Sequence, residues 1–143
     1  MGLNAKKAGK IIREVMDRVG LRAEIELKEN RAVATAYNIT IRDRAVCDFI
    51  MVSVNERGLC LLSAVFGHLE KTVSNLEALN EYNSNALGWR AYIDDSGDLN
   101  FDYDNDYTDE GKLKQFLIEN IDSFVDDDTE DAFFALCGNC TED

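Results

Sequence analysis

The chain has no proline in its 143 residues, although proline is about one residue in twenty of an average protein. That excludes Pro-rich linkers and polyproline docking motifs. Long apolar runs are also missing. None approaches the roughly 20 residues of a membrane-spanning helix, and the N-terminus lacks the apolar stretch of a signal peptide. Met1-Gly2 opens like a myristoylation site, but Lys6 stands where Ser or Thr is required. The expected compartment is the cytoplasm, with no membrane association. Histidine occurs once, as His68. No cysteine or serine partner stands at a recognisable spacing, so it reads as a loop residue rather than a general base.

Positive charge is scarce and unevenly placed. The net charge is −13. Residues 1–101 are nearly balanced, whereas residues 102–143 set 14 acids against only Lys112 and Lys114. Such a surface does not bind nucleic acid through its phosphates, which requires a basic face. The acidic third reads either as a solvated end that keeps the protein soluble or as a face that selects basic partners.

What is present is the pattern of one α+β domain over residues 1–143, with an acidic helical end from about 126 to 143. Ala8, Ile11, Ile12, Val15, Met16 and Val19 form one stripe on a first helix, with Asn4 as its N-cap and Gly20 as its stop. Ala23, Ile25 and Leu27 alternate along a short strand. A second strand runs from about Arg31 to Ile39, and Arg42-Asp43-Arg44 is a polar break. Val46–Val54 and Leu59–Phe66 form a hairpin around Asn55–Gly58. A helix over residues 71–87 carries Val73, Leu76, Leu79 and Asn83 at helical spacing, with Asn80 beside them. It leads into a hairpin whose strands alternate, Trp89, Ala91 and Ile93 on one face and Leu99, Phe101 and Tyr103 on the other strand's face. Gly97 supplies the positive φ of its Asp94–Asp98 loop. Leu113, Phe116, Leu117, Ile121 and Phe124 stripe a long helix that Thr108 or Asp109 can cap. A short helical piece follows at about 129–136. It carries Phe133, Phe134 and Leu136, and is expected to be dispensable for folding. The expected architecture is an antiparallel sheet with helices on one face, in the order α-β-β-β-β-α-β-β-α(α).

The central hairpin is apolar on both faces. If Val54 pairs with Leu59, one face shows Val46, Ile50, Val52, Val54, Leu59, Leu61 and Val65. The other shows Cys47, Phe49, Met51, Cys60, Leu62, Ala64 and Phe66. Either both faces are covered, or one is a dimer or partner surface. Phe49, Met51, Leu62 and Phe66 are the candidate contact residues.

Candidate chemistry is sparse. Cys137-Gly138-Asn139-Cys140 is a C-x-x-C pair, but it follows a helix instead of opening one, where the dipole disfavours a thiolate. A structural zinc needs about four ligands. Cys47 and Cys60 are six residues apart along the hairpin, roughly 20 Å at about 3.3 Å per residue, too far to share a metal or a disulfide. Asp102–Asp106 begins like a calcium loop but has Tyr107 where Gly is needed and Leu113 where Glu is needed. No catalytic residue, cofactor site or metal site is assigned.

Leu79-Asn80-Glu81-Tyr82-Asn83, the hairpin Ala91–Leu99 with its Asp94 and Gly97, and the strand Asp48–Val54 resemble the motifs of the YbjN family, which is similar to the type III secretion chaperone fold. The likeness covers about residues 45–125, and the N-terminal third by element order. It implies a small, acidic, usually dimeric cytoplasmic protein with no established catalysis. The motif residues Asn80, Asn83, Asp94 and Gly97 are structural in this reading. The expected function is therefore a non-catalytic, chaperone-like or regulatory protein that binds another protein through an apolar surface and forms a homodimer. The alternative is a metal-binding or thiol-redox protein built on the C-terminal cysteine pair.

Overall fold

Asn4 and Gly20 bracket the first helix. The Asn4 side-chain oxygen accepts the Lys7 amide at 2.8 Å. Gly20 takes φ 79°, and the Leu21 amide reaches back to the Met16 carbonyl, the left-handed closure that glycine permits. The computed structural model describes residues 4–42, 45–86, 88–107, 109–126 and 131–141. The elements are α1 (Ala5–Val19), β1 (Glu24–Leu27), β2 (Arg31–Ile41), β3 (Ala45–Asn55), β4 (Leu59–His68), α2 (Val73–Asn85), β5 (Arg90–Ile93), β6 (Asp98–Asp106), α3 (Glu110–Asp126) and α4 (Asp131–Gly138). Met1-Gly2, the break at Asp43-Arg44, the cap at Thr108 and the acids Asp127, Asp128, Glu130, Glu142 and Asp143 lie outside the described residues. Asp109 caps α3, accepting the Lys112 amide at 3.0 Å.

The expected α+β architecture and element order are those observed. Six antiparallel strands form one sheet in the order β1-β2-β3-β4-β6-β5. The crossover through α2 puts β5 on the outer edge, so β6 joins β4. Described helices pack on one face. Ile12, Val15 and Met16 of α1 and Leu113, Leu117 and Ile121 of α3 bury against Ala32, Ala34, Val52, Val54 and Leu62 of the sheet. Alanines along β2 let α1 approach closely.

Two details of packing depart from the sequence reading. Val54 pairs with Cys60, not Leu59. The connecting loop is Glu56-Arg57-Gly58, with Gly58 at φ 84° and Asn55 Oδ1 accepting the amides of Arg57 and Leu59. Glycine in the left-handed position makes a three-residue loop with a bulge, and that fixes the register. A one-residue shift turns every β4 side chain over. Leu62 and Phe66 therefore point into the core, 0% and 1% exposed, away from Phe49 and Met51.

The second departure concerns α2. It buries Asn75 and Tyr82, with Ala78 and Leu79 beside them, whereas Val73 and Leu76 are exposed. The 75, 78, 79, 82 spacing is itself a helical stripe. Tyr82 wins the docking because its ring meets Phe101 edge-on at 5.2 Å.

The C-terminal piece is also not peripheral. Phe133 and Leu136 of α4 are fully buried. The Phe133 ring lies 5.2 Å from Phe101, 5.6 Å from Phe124 and 5.9 Å from Phe66. Beyond α4, Thr141 exchanges two backbone hydrogen bonds with His68, each 2.8 Å, so the chain end is tied to the sheet. Dispensability of this segment for folding is an expectation the packing does not support.

Candidate protein-binding surface

The face of the sheet opposite the helices is uncovered among the described residues. Alternation along β2, β3 and β4 places Val33, Tyr37, Phe49, Met51, Leu61 and Val65 there, with Thr35, Ser53 and Ser63 between them; Tyr37, Phe49 and Val65 form one row across the three strands. Tyr37 is 56% exposed and its ring is 6.3 Å from Phe49. The other apolar residues are half-buried by one another. Phe49 and Met51, two of the four expected contact residues, are at the centre of this patch.

The patch has polar borders. On β6, the outward residues are Asn100, Asp102, Asp104 and Asp106; on β1 they are Glu24 and Glu26. Asp102 accepts from Ser63 Oγ and from the Tyr92 hydroxyl, both at 2.8 Å, which ties β4, β6 and β5 together across this border. Burial, then the bond to Asp102, pushes the Tyr92 phenol up to about 12. The residues that began like a calcium loop are thus strand residues pointing alternately to two faces. Among the described residues no group of three metal-ligating side chains is close enough to hold an ion.

The motif residues of the second hairpin do structural work. Asn83 clamps one residue of β5 from both sides: its Nδ2 donates to the Ala91 carbonyl and its Oδ1 accepts the Ala91 amide, both at 2.9 Å. Asp94 organises the hairpin loop. Its Oδ1 accepts the amides of Ser96 and Asp98, and its Oδ2 accepts from Asn100 Nδ2 at 2.7 Å. These bonds, the Asp98 amide first, hold its carboxyl below the usual range. Gly97 sits at φ 85°, with the His68 ring where a Cβ would fall. Asn80 is different: it is exposed on α2, and its carbonyl accepts from Ser84 Oγ.

The four cysteines are free thiols, and none is poised for reaction. Cys47 and Cys60 are buried in the sheet, where desolvation pushes them up to about 12 and about 11. Cys137 and Cys140 lie at the C-terminal end of α4 beside a groove of about 740 Å³ that also touches Asn38, Asp48 and Phe134. Burial raises Cys137 strongly and Cys140 to about 11. A thiol so raised is protonated at neutral pH and a poor nucleophile.

Sequence reasoning missed Arg42, which it took for part of a polar break. Arg42 is buried. Its amide donates to the Val125 carbonyl at 2.6 Å and its Nε to the Phe124 carbonyl at 3.2 Å. These are the open carbonyls of the last turn of α3, where a cation is favoured. The only hint in the sequence is a cation placed after an apolar strand.

One six-stranded antiparallel sheet with the described helices on one face defines a small α+β protein. The model of the YbjN family, described as "Putative bacterial sensory transduction regulator", matches residues 9–136, and the chain belongs to that family. No curated protein matches the chain. No solved structure matches it either, so the likeness to secretion chaperones rests on the sequence motifs alone.

Proposed function

We propose that this protein is a non-catalytic, chaperone-like regulator that binds another protein through the uncovered face of β2, β3 and β4. The observation that carries this reading is the apolar row Tyr37, Phe49 and Val65, extended by Val33, Met51 and Leu61 among the hydroxyls of Thr35, Ser53 and Ser63, with nothing packed on it among the described residues. A patch of this kind on a soluble protein marks an interaction site. Its acidic borders favour a partner whose apolar centre is flanked by lysine or arginine. A homodimer meeting sheet on sheet is confined by the same borders to the middle three strands, because a wider contact sets carboxylate against carboxylate.

The test is affinity capture from native lysate with the wild type and a Phe49→Glu/Met51→Glu variant side by side, with light scattering of both. Proteins captured by the wild type and lost by the variant support the reading, as does a dimer that the variant converts to monomer. An identical captured set and identical mass would sink it. Both side chains lie on the outer face, so the variant keeps the core.

A further inference from the structure

We propose that the groove between α1 and the free edge of β1 accepts an extended acidic peptide segment as an added strand. β1 closes the sheet and is paired only with β2 among the described residues, so its outer peptide groups are available. Such an edge is where an extended chain adds to a sheet. Ile25 and Leu27 pair with Ala34 and Ala32, so they point to the helix side. Yet Leu27 is 55% exposed, with no further strand or helix over it among the described residues. α1 comes close here: a Cβ on Gly9 would be 2.7 Å from Leu27 Cδ2. The result is a groove of about 660 Å³ with Ile25 and Leu27 as its floor and Lys6, Lys7, Lys10 and Arg13 along its wall.

The wall selects the ligand. Residues 5–13 carry four cations and no acid in a chain of net charge −13. Lys7 is paired with Glu110 at 2.5 Å, and Arg13 donates to the Ala23 carbonyl. Lys6 has no acidic partner among the described residues, and Lys10 feels there only the through-space pull of Glu14, whose carboxylate is bonded to Lys114; both lysines are exposed. In an added strand, residues i, i+2 and i+4 face α1. An apolar side chain in the middle of that set covers Leu27, and carboxylates on either side of it reach Lys6 and Lys10. A second copy of this chain fits poorly, because pairing β1 with β1 brings two lysine rows together. This site is separate from the sheet face of the proposed function.

The test is selection of a displayed random heptapeptide library on the full chain. The expected winners carry Asp or Glu at positions i and i+4 and an apolar residue at i+2. A labelled winner should bind more weakly as salt rises, and its affinity should fall about tenfold or more in Lys6→Glu/Lys10→Glu. It should bind Phe49→Glu/Met51→Glu as it binds the wild type. No enrichment, neutral or basic winners, or equal affinity for the lysine variant would overturn the proposal. So would sedimentation with phosphatidylserine vesicles that is lost in the lysine variant, since that assigns the groove to a lipid surface.

Discussion

The guanidinium carbon of Arg42 lies 3.9 Å from the centroid of the Phe133 ring. The same residue holds the carbonyls of Phe124 and Val125 and sits at φ 53° to do so. One side chain thus joins the end of β2, the end of α3 and the start of α4. Phe133→Ala is expected to cost about 3–5 kcal/mol, the usual range for a buried phenylalanine. Arg42→Ala exposes the α3 end and removes the cation–π contact, so it too lowers the urea midpoint. Truncation after Val125 is expected to abolish the cooperative transition. A truncated chain that unfolds cooperatively at the wild-type midpoint would show that α4 is an accessory after all.

Asn83 offers a cleaner test of a single contact. Asn83→Leu leaves the Ala91 amide and carbonyl without partners at a half-buried site, at about 1–3 kcal/mol for each unsatisfied group. Asn83→Asp keeps the acceptor and loses the donor, so it should fall between. Hydrogen exchange at the Ala91 amide reads the effect directly. Unchanged protection in Asn83→Leu would mean that the edge strand holds itself.

Asp94 predicts an acid limb. Its folded carboxyl titrates below the unfolded value because it accepts the Asp98 amide, then Asn100 and neighbouring amides. A depressed acid stabilises above its unfolded pKa of about 3.9, and that stabilisation is lost as pH falls through the folded value. The melting temperature should therefore drop between about pH 4 and the folded pKa, and less so in Asp94→Asn. An acid limb of the same depth in the variant would assign it to other carboxylates.

The thiols predict slow chemistry. With Cys47, Cys60 and Cys140 raised to about 12, 11 and 11 and Cys137 raised further, a disulfide reagent at pH 8 should label the native protein slowly. Labelling should be fast in guanidinium. One thiol per chain reacting fast under native conditions would point to Cys137 or Cys140 and revive a redox role for the pair.

Helical stripes and strand alternation made the elements legible in the sequence, because the periods of 3.6 and 2 are set by local geometry. What the pattern could not settle was which of two plausible faces docks. On α2, the 73–76 and 75–78–79–82 stripes compete, and only the aromatic cluster around Phe101 decides between them. On β4 the choice hung on one residue of loop length, since Gly58 works equally well as the fourth residue of a longer loop or the last of a three-residue bulge. Half of the candidate contact surface, Leu62 and Phe66, went to the wrong side through that single residue. Arg42 was illegible for another reason: its partners lie more than 80 residues away in the chain, and no local pattern reports a contact at that range.

Placing Phe133 among Phe66, Phe101 and Phe124 has a consequence for how the protein is born. During synthesis all six strands are made before α4, so the gap that Phe133 and Leu136 fill stays open until α4 has left the ribosome. A nascent chain that lacks α4 leaves Phe66 and Phe101, on the helix side of the sheet, without the ring that closes over them. Exposed aromatic surface of this kind is what aggregation and chaperones act on, so a chain interrupted before α4 is the species most open to both.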